Sequence, residues 1–280
     1  MDHNRGKYIL GKILLHTLLI FFAVIILLPF YWMILSSFKS DADFYAKSTG
    51  FIIVNPVWDN YIHLFTKTDS VRWFFNSVFV SFTSTFLGLF VCSLAGFTFG
   101  LYNFKFKQLL FWIVLGSVAI PDIVTIIPVF KMMVDIRMIN TYASVVLPYV
   151  ISMFGIFMMK QYVSSSLPRD MVEAARVDGL TEPGIYFRIA LPLLRPALGV
   201  LGIYLWLNSW SGYFWPFIML RTKVMMTLPV GFATLYADPW HLMYGVLMAG
   251  SFLSTLPIII IFLMGQEQFI VGLTAGAVKG

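Results

Sequence analysis

From Ile13 to Leu28 the chain carries no charged side chain, and further apolar stretches of similar length follow it. These stretches decide what the chain can fold into. A helix rising about 1.5 Å per residue needs roughly 20 apolar residues to cross a bilayer. Lipid offers no water to an unpaired N–H or C=O, so only helices and closed barrels cross it. The alternating pattern of barrel strands is absent. The sequence therefore predicts an all-α polytopic membrane protein with six transmembrane helices, at roughly 13–36, 74–98, 108–130, 143–161, 197–219 and 243–264. One domain covers 1–280, with a polar loop at 162–195 and a tail at 265–280.

Charge supports the same solvent. Only 11% of the residues are charged and 59% are hydrophobic, against about 25% charged in soluble domains. The net charge of +6 has no dense basic patch behind it, which argues against nucleic acid. The cations lie instead in short loops, where they set topology. With the N-terminus inside, eleven fall on the inner side (Arg5, Lys7, Lys12, Lys105, Lys107, Lys160, Arg169, Arg176, Arg188, Arg195, Lys279) and eight on the outer. This bias predicts cytoplasmic N- and C-termini. No small-residue cleavage site follows the first apolar run, so it reads as a retained span. Cys92 stands alone in an apolar run, without a disulfide or metal partner in sequence.

The longest outer piece, 37–72, mixes acids with Trp58, Tyr61 and Phe65 and predicts at most a short helix. Asp122 is the one acid well inside a span, roughly 21 Å from an entry at residue 108. It follows Pro121, so two readings stand: it caps a half-helix, or it lines a pathway. In the fifth span Trp206, Trp210 and Tyr213 share one helical face, with Asn208 nearby. Aromatic rings beside amides and hydroxyls suit a sugar, and they equally suit bundle packing. His16 reads as a packed or headgroup-level residue.

The chain has no G-x-x-x-x-G-K-[ST], H-E-x-x-H or G-x-S-x-G, and its four histidines are scattered. No metal ligands or convergent acid and base groups assemble, so no catalysis is expected of this chain.

The most informative polar segment lies between the fourth and fifth spans. Pro168 suits a helix start, and Asp170 and Glu173 suit its dipole. Met171, Ala174 and Ala175 at i, i+3, i+4 predict one flat apolar face. Gly179 lets the backbone turn out of the helix. Thr181 is placed to cap a second short helix holding Glu182 and Pro183, which Pro192 and Pro196 end. The sum is a helical hairpin suited to a groove on a partner, or to lying at lipid headgroups.

Glu173-Ala174-Ala175, three residues, Gly179, then Ile189-Ala190-Leu191-Pro192 resembles the EAA motif of permease subunits of binding-protein-dependent carbohydrate ABC importers. Asn60-Tyr61, Phe75-Asn76-Ser77, Pro121, Pro128 and Asn140-Thr141 also fit the family. The end, Gly272 to Gly280, resembles the tail of maltose-permease G-type subunits. The resemblance implies the type I importer (MetI-like) fold and uptake of di- or oligosaccharides by alternating access in a bacterial or archaeal cytoplasmic membrane. It implies a second permease, an ATPase dimer that binds ATP and Mg, and an extracytoplasmic binding protein, with no cofactor on this chain. Glu173, Ala174, Ala175, Asp178, Gly179, Leu191 and Pro192 would couple to the ATPase, and Gly276, Lys279 and Gly280 would touch it from the tail. Another solute (a glycerol phosphate, polyamine or peptide) and an ion-coupled transporter remain as alternatives.

Overall fold

The computed structural model describes residues 2–45, 50–53, 55–235 and 243–277, and among them there is no strand. The chain divides into two compact units, one of 1–70 with 234–256, the other of 71–233 with 257–280.

The first unit opens on α1 (Asp2–Ser37), followed by α2 (Asp41–Tyr45) and α3 (Asp59–Lys67). Within α1, Tyr8–Ser37 has a mean hydropathy of 2.8 and buries none of its most apolar window. A helix apolar all round and bare of protein is solvated by lipid or by another chain. α3 is the short helix expected in the loop. It buries Asn60 and Leu64. The Asn60 amide donates to the carbonyls of Ser37 (2.9 Å) and Lys39 (2.8 Å), which closes the open end of α1. Gly245 lies against that amide with no room for a Cβ.

The second unit takes up α4 (Ser70–Leu101) and the bent pair α5 (Lys107–Ser117) and α6 (Asp122–Asp135). α7 (Tyr142–Val150) and α8 (Met153–Ser166) follow, then α9 (Arg169–Val177), α10 (Glu182–Ile185), a π-helical turn Tyr186–Ala190 and α11 (Leu191–Leu193). α12 (Arg195–Trp210), α13 (Phe214–Met219) and α14 (Leu228–Leu235) come next. α15 (Tyr244–Ala277) begins in the first unit and ends in the second. Among the described residues four helical stretches alone are long and apolar enough to cross a membrane, and up to six if each bent pair is one span.

Three expected spans are not single rods. The fourth, expected over 143–161, pauses at Ile151 and Ser152 between α7 and α8. The third breaks between α5 and α6 with a 104° bend just before Asp122. Pro121 there has no N–H to continue a helix and disfavours the helical region for Ile120. The fifth, expected over 197–219, ends at Trp210. Continuing it through Pro216 would forfeit a bond to the Gly212 carbonyl and clash with it. At the other end, an 81° bend parts α12 from the Glu182–Leu193 stretch. The bend thus falls at the boundary expected between the polar loop and the fifth span.

The second unit's larger core gathers Met159, Val163, Ile185, Tyr186, Leu194 and Leu201, all buried. Cys92 is inside it, a small inert side chain. α4 reaches α8 through Gly96 and Gly100: a Cβ on Gly96 would stand 2.8 Å from the Lys160 nitrogen. Both glycines therefore serve close helix packing.

Candidate functional site

The loop between the fourth and fifth spans folds as the hairpin its residues predict. Pro168 precedes the first turn of α9, with Asp170 inside it. The helix closes at Gly179, whose φ of +84° is open to glycine without strain. The Gly179 N–H bonds the Arg176 carbonyl (3.0 Å) and the Leu180 N–H bonds the Ala175 carbonyl (2.9 Å). This is a Schellman turn, and Leu180 packs on the core as such turns prefer. Thr181 Oγ1 then accepts from the Gly184 N–H, capping α10.

The expected flat face needs correction. Val172 and Ala175 are turned inward, 1% and 5% exposed, and anchor α9 on the core. The spacing i, i+3 that buries them leaves Met171, Ala174 and Val177 outward, with Val177 88% exposed. Ala175 therefore supports the outward face from beneath and is not part of it. Glu173, Asp178, Gly179 and Pro192 are exposed, and Leu191 is half-buried against the core. Among the described residues the Glu173 carboxylate has no hydrogen-bond or ion-pair partner.

A polar triad ties the hairpin's two helices to the end of α4. Arg176 Nε donates to Glu182 Oε1 at 2.8 Å, Tyr102 donates its hydroxyl to Glu182 Oε2, and the guanidinium lies 5.7 Å from the Tyr102 ring centre. The hydrogen bonds from Arg176 and Tyr102 hold the Glu182 carboxyl below the usual range. Burial, then the bond and charge of Glu182, pushes the Tyr102 hydroxyl up to about 12. The depressed acid contributes stability above its unfolded pKa and loses it as pH falls through the folded one. The raised phenol contributes below its unfolded value and loses this as pH rises through about 12. Both partners of the ion pair are about half exposed, so the effect is modest. Hydrogen exchange over residues 176–185 should rise about twofold on acidification through the Glu182 range, after correction for intrinsic rates. Glu182→Gln should exchange fast throughout, and equal pH profiles in the two proteins would refute the linkage.

The aromatic face expected on the fifth span divides. Trp206 and Trp210 stack (5.7 Å, 11°), and Trp210 is buried edge-on to Phe74. α12 and the Ser211 that follows it show the outside Tyr204, Asn208 and Ser211, at i, i+4, i+7, with the Asn208 amide bonded to the Tyr204 carbonyl at 2.8 Å. Tyr204 and Ser211 flank Asn208 at helical spacing, a sequence signal weaker than the repeat of the larger tryptophans on the packed side. Tyr213 is exposed beyond the helix end. Asp122 is the first residue of α6, exposed, and makes no side-chain capping bond. Its charge stands where the helix dipole favours it. An apolar cavity of about 440 Å³ opens nearby between α6 and α13, lined by Ile126, Ile127, Phe130, Phe214, Phe217 and Arg221 among others.

Three asparagines met in the sequence only as family features act as clamps on loop backbone. Besides Asn60, the Asn76 amide donates to the carbonyls of Val224 and Met226, both at 2.8 Å, and accepts from the Tyr142 hydroxyl at 2.7 Å. Ser77 Oγ accepts from the Leu228 N–H (2.7 Å), and Trp73 Nε1 donates to the Lys223 carbonyl (2.8 Å). Asn140, at φ +59°, accepts from the Arg221 and Thr222 N–H groups. In the tail, Gly276 belongs to the last turn of α15, while Lys279 and Gly280 lie outside the described residues.

Comparison with known proteins places these features in one family. The family described as binding-protein-dependent transport system inner membrane component matches residues 92–268. The arabinooligosaccharides transport system permease protein AraQ of Bacillus subtilis (strain 168) is 39% identical over 283 residues, covering 100% of both chains. The lactose transport system permease protein LacG of Rhizobium radiobacter is 30% identical, over 96% of this chain and 97% of its own. A chain of a bacterial ABC transporter crystal structure, involved in import of the acidic polysaccharide alginate, superposes with a TM-score of 0.80. It covers 94% of this chain and 97% of that one, and at 21% identity the likeness is one of fold.

Proposed function

Because this chain belongs to the family of binding-protein-dependent transport system inner membrane components, we propose that it is one membrane-spanning half of an ATP-driven oligosaccharide importer. Its partners are a second permease, an ATPase dimer that binds ATP and Mg, and an external binding protein that delivers the sugar. The chain itself catalyses nothing. It lies in a bacterial or archaeal cytoplasmic membrane with both termini inside, so the α9–α10 hairpin faces the cytoplasm.

The observation that carries this reading is the hairpin. Glu173, without a partner among the described residues, stands beside outward Ala174 and Val177 on a helix fixed to the core by Val172 and Ala175, with Gly179 exposed just past its end. ATP binding closes the ATPase dimer, the hairpin moves with it, and the bundle passes from inward-open to outward-open. Only a difference in ATP affinity between the two states can drive that shift. The sugar class rests on the relatives and on the uncharged Tyr204–Asn208–Ser211 stripe, which offers a ring face, an amide and hydroxyls. A phosphorylated cargo would call for Arg or Lys within the spans.

The test is uptake by proteoliposomes holding the assembled complex, with ATP inside and binding protein outside. Arabino- or galacto-oligosaccharide should enter only when both are present. Entry without ATP would refute the importer, and entry of a polyamine or glycerol phosphate in place of the sugars would refute the cargo class.

A further inference from the structure

Where α4 ends and α5 begins, cations stand without an ion-pair partner among the described residues. Lys107 and Lys160 are half-buried, and Arg169 is exposed at the start of α9. The Lys107 ammonium donates to the Tyr102 carbonyl at 2.7 Å. The Lys160 ammonium lies 4.8 Å from the centre of the Phe111 ring, one helical turn beyond Lys107, and donates to the Gln161 side chain at 3.1 Å. The charged groups acting on Lys107 are both cations, Arg169 and Lys160. Among the described residues none of the three forms an ion pair, Asp170 beside Arg169 included. Half-buried like charges with only neutral partners are unfavourable, and an anion between them would offset the cost.

The surroundings say which anion. From this cluster α5 runs away bearing Leu109, Leu110, Trp112 and Ile113, all exposed. Phe104 and Phe106 are exposed beside it. Apolar side chains at acyl-chain depth, aromatic rings at their edge and cations beyond them match a phospholipid: tails on α5, phosphate on Lys107, Lys160 and Arg169. We infer that Lys107, Lys160 and Arg169 form a binding site for an anionic phospholipid headgroup of the inner leaflet. This rests on the proposed orientation of the chain, and it needs no sugar, ATP or transport to be tested. Because the Tyr102 carbonyl holds Lys107 while its hydroxyl holds Glu182, a bound lipid would sit one residue from the hairpin's triad.

Native mass spectrometry of the assembled complex, titrated with phosphatidylglycerol or phosphatidylethanolamine, reads the site directly. Lys107→Gln with Lys160→Gln should weaken phosphatidylglycerol binding about 30-fold and leave phosphatidylethanolamine unchanged. Equal retention by wild type and variant would overturn the site. So would unchanged phosphatidylglycerol binding with loss of the ATPase subunits, since the cations would then serve a protein contact. If the variant fails to assemble, wild-type complex with a photo-crosslinking phosphatidylglycerol decides. Adducts within 104–113 and 157–169 are expected, and adducts found only elsewhere would refute the inference.

Discussion

Asn76→Leu should lower the stability of the protein by roughly 2–5 kcal/mol, among the largest effects of any single side chain. Leucine keeps the volume and removes every polar contact. The carbonyls of Val224 and Met226 lose their amide donor, and the Tyr142 hydroxyl loses its acceptor. Asn76 is only 4% exposed, so water does not readily replace it. A buried group left unpaired costs more than the bond was worth. Asn76→Asp should be worse than its size suggests, since a carboxylate oxygen would then face two carbonyl oxygens. Ser77→Ala removes one bond, to the first N–H of α14, and should cost about 1 kcal/mol. Thermal unfolding of the detergent-solubilised complex, followed by exposure of Cys92, ranks the three. Asn76→Leu melting with wild type would show that the Asn76 bonds are dispensable and that Trp73, Ser77 and packing hold the segment Lys223–Leu228.

The contrast between this clamp and the hairpin explains what a sequence exposes. The hairpin is written in neighbours. Pro168, Gly179 and Thr181 each act on backbone within a few residues, so start, turn and cap were legible, whereas the exit expected at Pro192 was not: the helical stretch runs through it to Leu193 before the bend. The apolar runs were legible for the same reason, since each is a local stretch of one polarity, but that polarity did not mark the breaks within three of them. The clamps join residues such as Asn76 and Val224 across most of the chain, and nothing near Asn76 announces its acceptors. The choice of face on α9 was lost differently. Ala174 and Ala175 are equally small and adjacent, so the spacing from Met171 fits both. Val172, about one turn before Ala175, marks the buried face, and nothing within α9 alone ranks it above Met171. The break at Pro121 was visible as a proline, but its 104° angle depends on packing around the break.

Glu173→Ala should abolish coupling while sparing the fold. Within this chain the carboxylate is exposed and has no partner among the described residues, so removing it leaves no buried group unpaired. Alanine is also the better helix former, which favours α9 slightly. Any large loss must then come from a contact outside the chain. Truncating one member of a desolvated charged pair at an interface costs about 2–5 kcal/mol, or at least thirtyfold. Sugar uptake and binding-protein-stimulated ATP hydrolysis should therefore both fall about a hundredfold, with melting temperature and subunit content unchanged. Ala175→Leu makes the comparison informative. That site is inside the core, where added volume strains α9 itself, so uptake should fall together with the melting temperature. If both variants lose activity and stability in parallel, Glu173 is a structural residue and the coupling contact lies elsewhere on the hairpin. If Glu173→Ala transports at the wild-type rate, the exposed acid is not where the ATPase takes hold.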